Sequence, residues 1–300
     1  MAQLMSFSED RLSTRPRELS AGSAEESSVD SAMSNEEVSD HSLVAEQVGM
    51  LAVPGLPDIH PGDDLAALIL HSMAQANLRF DDGDILVIAH KVVSKSEGRI
   101  VRLEDVTPSD QALELAEVVH KDPRKIETIL SESKRVVRAV KRPGQEEGIL
   151  IAEHRLGFIC ANAAVDESNV DQPGHVILLP VDPDASARAL CAALESATGK
   201  QLGVVITDTF GRPWRMGLVN VAIGLANVPS KVDMAGESDA YGRELKVTVP
   251  ALADELAAAS GLLMSKEGKK PALIFKGVEW SPSDSSALDL VRPQQEDLFR

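Results

Sequence analysis

The sequence predicts a mixed α+β (mixed α/β) domain, with helices flanking mixed sheets, behind an unstructured N-terminal tail. Three observations predict it. The short apolar runs Ile85-Leu-Val-Ile-Ala, Gly203-Val-Val-Ile-Thr and Pro271-Ala-Leu-Ile-Phe suit strands covered on both faces. Segments that open with capping residues or proline read as helices. Strands and helices alternate irregularly and no internal repeat is visible, which favours a mixed architecture over a regular βα series.

Residues 1–47 hold eleven serines, ten acids and three arginines, with little apolar periodicity. Such a stretch cannot bury enough surface to offset its ordering entropy, so it reads as a disordered Ser/Glu-rich tail. A transient helix is expected near Asn35 to Gln47. Order is expected from about Met50, within a region 48–300 that has room for two subdomains. A turn-rich loop, Gly55-Leu-Pro-Asp-Ile-His-Pro-Gly-Asp-Asp, feeds a helix from Asp64 to Ala76, with Asp63 as N-cap and Leu65, Leu68, Ile69 and Met73 inward. The strand at Ile85 follows the turn Asp81-Asp-Gly-Asp. Thr107-Pro108 starts one helix, and Asp122-Pro123 starts another expected to run to about Val140. Strands are expected at Gly148-Ile-Leu-Ile, Gly157-Phe-Ile-Cys and His175-Val-Ile-Leu-Leu. A helix from Asp184 to Thr198, the strand at Gly203, a helix from Pro250 to Leu263 and the strand at Pro271 complete the order.

The chain has 300 residues, is 43% hydrophobic, and is large enough for a substantial core. No apolar run approaches the ~20 residues of a membrane span, and the first residues lack the basic-then-apolar profile of a secretory signal. Cys160 and Cys191 both lie in apolar segments, so two buried reduced thiols are expected rather than a disulfide framework. These features predict a soluble, cytoplasmic protein. The net charge is −17, of which about −7 falls in the first 47 residues. An acidic chain with 3% aromatics lacks the stripe and stacking platform of a nucleic-acid binder. If it handles phosphates, it does so with metals on a few carboxylates and local Lys or Arg.

Three segments carry candidate chemistry. In Ile206-Thr-Asp-Thr-Phe-Gly-Arg-Pro-Trp-Arg215 a strand ends in Asp208 and Thr209, a good place to hold a hard metal. Arg212 and Arg215 follow as fork-shaped donors for phosphate or carboxylate, and as catalytic candidates. Spacing alone fits equally an Asp-Thr turn with solvated arginines. In Ala161-Asn-Ala-Ala-Val-Asp-Glu-Ser-Asn-Val170 another strand delivers Asp166, and Asn169 suits a base or ribose; an Asx turn is the alternative. In His90-Lys-Val-Val-Ser-Lys-Ser-Glu-Gly-Arg99 the cations Lys91, Lys95 and Arg99 suit a triphosphate. No GxxxxGK[ST] pattern is present, so a basic solvated loop fits the composition as well. The histidines show no ligand pairing and there is no C-x-x-C, which argues against zinc. Asp166 with Asp208 would make a two-carboxylate metal site.

Together these segments resemble the coenzyme F420-0:L-glutamate ligase (gamma-glutamyl ligase) family. The resemblance runs from about Leu51 to Arg300 through a colinear series. It includes Gly55-Leu-Pro-Asp-Ile, Lys91-Val-Val-Ser-Lys, Val165-Asp-Glu-Ser-Asn-Val, Ile206-Thr-Asp-Thr-Phe-Gly-Arg-Pro-Trp-Arg, Asp239-Ala-Tyr-Gly-Arg-Glu-Leu and Val291-Arg-Pro-Gln-Gln-Glu-Asp-Leu-Phe. It implies a glutamate ligase catalytic region in 48–300, a fold of the family's own kind and an intertwined homodimer. The implied reaction joins L-glutamate, and further gamma-glutamates, to coenzyme F420-0. GTP activates the carboxylate as an acyl phosphate. Two Mg2+ or Mn2+ ions, and a potassium ion, are the implied cations. By resemblance Asp166 and Asp208 hold one metal and Thr209 helps hold a second. Leu56, Pro57, Asp58 and Ile59 line the nucleotide with backbone groups, and His90, Lys95 and Asn169 contact it. One departure stands out. Where many relatives carry Met-Gly-Gln before an acidic loop, this chain reads Met264-Ser-Lys-Glu-Gly-Lys-Lys-Pro271, and a protonated Lys266 cannot ligate a metal. An amide ligase for a different acid, and a nucleotide-sensing protein, remain as other readings of the same pocket.

Overall fold

The longest strand pair sets the frame. β8 (Gly203–Arg212) and β9 (Arg215–Ala226) form a long antiparallel hairpin. β8 also runs parallel to β2 (Ile85–Ala89), with Ala89 opposite Thr207. β10 (Ala272–Lys276) and then β1 (Gly49–Ala52) add antiparallel on the other side, giving the order β1-β10-β2-β8-β9. The computed structural model describes residues 46–168, 172–264 and 269–297. The expected tail, its transient helix, Asn169 and Lys266 lie outside the described residues.

Alternation along these strands divides two apolar layers. Leu86, Ile88, Val204, Ile206 and Ile274 face α1 (Leu65–Gln75) and α5 (Pro183–Thr198), while Ile85, Val87, Val205, Leu273 and Phe275 face α6 (Leu252–Ser260). Because both faces are covered, the strands are continuous in hydrophobicity. A third apolar cluster joins α3 (Asp110–Val119) and α4 (Pro123–Ser131) to a three-stranded sheet of β4 (Ser133–Val140), β5 (Ile149–His154) and β6 (Ile159–Ala161). β3 (Ile100–Arg102) and β7 (His175–Ile177) pair separately. The result is an α+β architecture with several sheets, as the sequence predicts, of which the five-stranded one is mixed and the other two are antiparallel. No helix among the described residues is long and apolar enough to cross a membrane.

Several expectations are corrected. The helix from Asp122-Pro123 stops at Ser131, and Ser133–Val140 is the strand β4. The valines of this stretch keep a near-helical spacing, but β-branched side chains fit a pleated surface, and β4 pairs with β5 through two register shifts. Asp64 rather than Asp63 caps α1, its carboxylate accepting from Ala67 N–H at 3.0 Å. Asp63 instead holds His60 N–H at 2.7 Å. α3 opens at Asp110 with Ser109 as cap, two residues beyond Pro108. The basic stretch after β2 is not a loop but the helix α2 (His90–Ser96), with His90, Ser94 and Lys95 buried. β8 does not end at Thr207; it continues as one arm of the hairpin to Arg212.

Candidate active site

The register of the central sheet gathers the candidate residues at one end. β2 and β8 are parallel, so the residues following Ala89 and Thr207 emerge side by side, at the carboxyl ends of their strands. That is where open α/β sheets bind ligands. β10 enters the sheet at the same end, with Ala89 N–H bonded to the Pro271 carbonyl at 2.8 Å, and the turn at 56–59 follows β1 beside it. A cleft of ≈ 350 Å³ opens there. Its walls are Leu56, Pro57, Asp58 and Ile59, the start of α2, the Thr207–Thr209 stretch, Asn220 and the lysines before β10. Every described residue expected to touch the nucleotide lines it: Leu56, Pro57, Asp58, Ile59, His90 and Lys95. So do Asp208 and Thr209.

Consecutive residues of α2 stand beside the two carboxylates. His90 Nε2 lies 3.2 Å from Asp208 Oδ1, with the ring 2% and the carboxylate 12% exposed. The other ring nitrogen, Nδ1, is 3.2 Å from Ser94 Oγ. Asp208 Oδ1 also accepts from Thr209 N–H at 2.7 Å, which leaves Oδ2 without a protein partner among the described residues. Lys91 Nζ sits 2.6 Å from Asp166 Oδ2 and donates to Ser168 Oγ. Asp166 in turn accepts from Ser168 N–H at 2.7 Å and forms a backbone bridge to Ile177. Burial raises its carboxyl, but the Lys91 ammonium and the Ser168 donors outweigh burial and hold it below the usual carboxylate range. Asp166 is therefore tied to the cleft through Lys91 and is not one of its walls.

Four lysines line the cleft, Lys91, Lys95, Lys269 and Lys270, against the acids Asp58 and Asp208. In a chain of net charge −17 such a cluster of cations could meet a polyanion, although Lys91 is paired with Asp166 and Lys269 with Asp58 at 3.3 Å. The Asp208 carboxylate and the Thr209 hydroxyl at the cleft are oxygen donors of the kind Mg2+ and Mn2+ take, whereas both Asp166 oxygens are engaged by Ser168 and Lys91. No group of three or more His, Cys, Asp or Glu is placed to hold an ion among the described residues. An ion here would therefore draw several ligands from phosphate and water, as Mg2+ commonly does. Thiol chemistry is not supported. Burial, helped by the Asp208 charge, pushes the Cys160 thiol up to about 12, and burial with Glu195 does the same to Cys191.

Arg212 and Arg215 are not brought into the cleft. They flank the far turn of the hairpin, where Arg212 donates to the Met216 carbonyl at 2.9 Å. Arg99, grouped in the sequence with the phosphate-binding cations, instead binds Glu132 at 3.0 Å and the Leu179 carbonyl at 2.9 Å. Conversely, sequence reasoning missed Asn220, while the lysines of the stretch 264–271 read there as direct phosphate contacts, and Lys269 and Lys270 do line the cleft. Asn220 stands opposite Thr209 across the hairpin, and a strand count back from the Pro213-Trp214 turn is the signal that would have found it. The lysines were legible as a basic stretch, but their place at the cleft depends on where β10 begins.

Comparison with known proteins identifies the family. The family model described as F420-0:Gamma-glutamyl ligase matches residues 55–277. A protein named coenzyme F420:L-glutamate ligase in Methanothermobacter thermautotrophicus is 44% identical over 256 residues, spanning 84% of this chain and 99% of that protein. Proteins of the same name in Methanopyrus kandleri and Archaeoglobus fulgidus are 46% and 41% identical, over 83% and 85% of this chain and 96% and 97% of theirs.

Proposed function

The chain belongs to the F420-0:gamma-glutamyl ligase family, and from that premise we propose that it joins L-glutamate to coenzyme F420-0 at the expense of GTP, in the cytoplasm. Further gamma-glutamates are added by the same chemistry. The observation that carries this reading is the lysine-lined cleft beside Asp208, at the ends of two parallel strands in an otherwise acidic protein.

A carboxylate is a poor acceptor for an amine. In the proposed reaction a carboxylate oxygen of the coenzyme precursor attacks the γ-phosphorus of GTP, the bond to the bridging oxygen breaks, and GDP leaves. The glutamate amine then attacks the acyl carbon, phosphate departs with the C–O electron pair, and the amine gives up a proton to complete the amide. The first step brings two anions together, so cationic groups must neutralise them. Lys91 and Lys95 come from α2, and Lys269 and Lys270 from the stretch before β10. The turn at 56–59 offers backbone groups to the nucleotide. Asp208 and Thr209, with Asp166 behind Lys91, would hold Mg2+ or Mn2+. Such ions, two in this reading, would neutralise charge on the phosphates, and a potassium ion would add to the same neutralisation. His90 orients Asp208 from the dry side of the cleft.

The reading includes a homodimer. The outer half of the β8–β9 hairpin exposes Trp214, Met216 and Leu218, with Met216 95% exposed. A contiguous apolar face of this kind is suited to cover by a second copy. Arg212 and Arg215 lie on this same tip, so any part they take in catalysis is played across that contact.

The test is to incubate the full chain with F420-0, L-glutamate, GTP and Mn2+, and to follow product by mass spectrometry and GDP by chromatography. The expectation is one GDP per glutamate added, and transfer of ¹⁸O from labelled precursor carboxylate into phosphate. Asp208→Asn should lower turnover by roughly 100-fold with the fold retained. Product without GDP, or an Asp208→Asn enzyme of undiminished rate, would sink the reading.

A further inference from the structure

We infer that Asn220 is a positioning residue, which turns Thr209 into a lone-pair donor for the divalent ion that accompanies the nucleotide. The inference rests on the metal reading given above and extends it to a residue outside the ligand set.

A threonine hydroxyl has one hydrogen and two lone pairs, and it ligates a cation only when the hydrogen points elsewhere. Here the hydrogen has a fixed destination. Thr209 and Asn220 are cross-strand partners in the β8–β9 hairpin, and Thr209 Oγ1 donates to Asn220 Oδ1 at 2.8 Å. Asn220 Nδ2 donates to Ser260 Oγ at 3.1 Å, and Ser260 Oγ donates to the Ala257 carbonyl at 2.6 Å.

The direction of this chain is set from its buried end. Ser260 is fully buried, and its hydrogen is committed to a main-chain carbonyl inside α6. Its oxygen can then only accept, so the amide must present its NH2 to Ser260 and its oxygen to Thr209. Met264 Sδ lies 3.5 Å from Ser260 Oγ and 3.8 Å from Asn220 Nδ2, a weak acceptor that does not compete with the carbonyl. Thr209 is left with its lone pairs on the cleft side, next to Asp208, whose Oδ1 is already taken by Thr209 N–H and faces His90. Thr209 Oγ1 thus keeps its lone pairs for a cation in the cleft that Thr209 and Asp208 both line. Groups of this kind behind a metal ligand set its orientation, and their loss weakens metal binding by ~10–100-fold.

The experiment measures Mn2+ binding to the full chain in the presence of GDP by electron paramagnetic resonance, with thermal melting as a check on folding. Asn220→Ala should weaken Mn2+ by about 10-fold. Thr209→Val should weaken it at least as much, and the double variant should be no worse than Thr209→Val alone. That non-additivity separates orientation of Thr209 from simple packing. If Asn220→Ala does not fold, Ser260→Ala removes the next link at nearly constant volume and should cost roughly threefold or more. Unchanged Mn2+ affinity in Asn220→Ala or Ser260→Ala overturns the inference, as does an equal Asn220→Ala loss with and without the Thr209 hydroxyl. A wild-type chain that takes no Mn2+ with GDP would instead overturn the metal reading itself, and this inference with it.

Discussion

Glu132→Gln tests how the segment after α2 is tied to the β5–β6 turn. Glu132 caps the C-terminus of α4, and its side chain is 10% exposed. Oε1 accepts from Arg99 at 3.0 Å, and Oε2 from Arg155 Nε at 3.0 Å. His154 Nε2 adds a third contact at 3.3 Å. The tautomer follows from the other nitrogen. His154 Nδ1 accepts from Leu156 N–H, so a neutral ring carries its hydrogen on Nε2, toward Glu132. The arginines also bind the carbonyls of Leu179, Pro180 and Val181, so one carboxylate ties α2's exit, the β5–β6 turn and the approach to α5 together. Burial alone raises the Glu132 carboxyl. The donors from His154 and Arg155 and the charge of Arg99 outweigh it, and bring it from 4.5 to about 2. A folded value below the unfolded one stabilises above pH 4.5 and is lost as pH falls toward 2. The difference corresponds to roughly 3 kcal/mol at neutral pH, of which about 2 is gone by pH 3. Glutamine keeps the shape and removes the charge. Urea titrations should place Glu132→Gln about 3 kcal/mol below wild type at pH 7, a fall of roughly 6–12 °C in Tm, with the gap closing to about 1 kcal/mol at pH 3. A gap that does not change with pH, or no gap at pH 7, would refute the assignment of this stability to an ionised Glu132.

Two further outcomes follow from packing. A Cβ on Gly224 would stand 2.4 Å from the Pro183 carbonyl oxygen, where the start of α5 meets β9, so Gly224→Ala should cost roughly 1–3 kcal/mol in urea unfolding. Met216→Glu combined with Leu218→Glu places two charges on the exposed hairpin face, and should convert a dimer to monomer in sedimentation velocity with the circular dichroism unchanged. A dimer that persists would remove that face from the contact.

Much of the site was legible because its residues sit at points where the sequence changes character. Asp208 ends a run of apolar residues, His90 follows another, and the Gly55 turn announces itself by glycine and proline. Each junction between a dry strand and a polar stretch is a place where a side chain can be fixed from one side and reached from the other. What could not be read was pairing. Arg215–Ala226 mixes glycines, an asparagine and branched residues without clean alternation, because its inner half is buried on both faces and its outer half is on neither. Without β9 there is no partner for Thr209, and Asn220 looks like one more polar residue. The β4 error has the same root: Ser133–Val140 has side chains that satisfy helix and strand alike, and only the presence of β5 decides. Arg99 shows the complementary failure, since a cation among cations was assigned to phosphate until Glu132, 33 residues away, claimed it.

The position of Asp208 along β8 explains why one strand serves both core and chemistry. Gly203 to Thr207 are buried on both faces, and from Asp208 onward burial breaks into alternation. The dry half fixes the backbone by packing against α5 on one face and α6 on the other, so the carboxylate at the boundary has little freedom to lose when a ligand arrives. The His90 ring, 3.2 Å from this carboxylate and 2% exposed, stands on the low-dielectric side, where charge–dipole interactions are screened least, while the Thr209 amide holds it from the exposed side. Lys269 stands on the wet side, its side chain 76% exposed, where it meets an incoming polyanion without the desolvation that burying its ammonium group would require. A shift of the β8 register by one residue would turn Asp208 toward the opposite face and put Thr209 in its place. The register is held by β2 through five parallel pairs, from Ile85 with Gly203 to Ala89 with Thr207, so the apolar sequence of two core strands determines where the carboxylate stands.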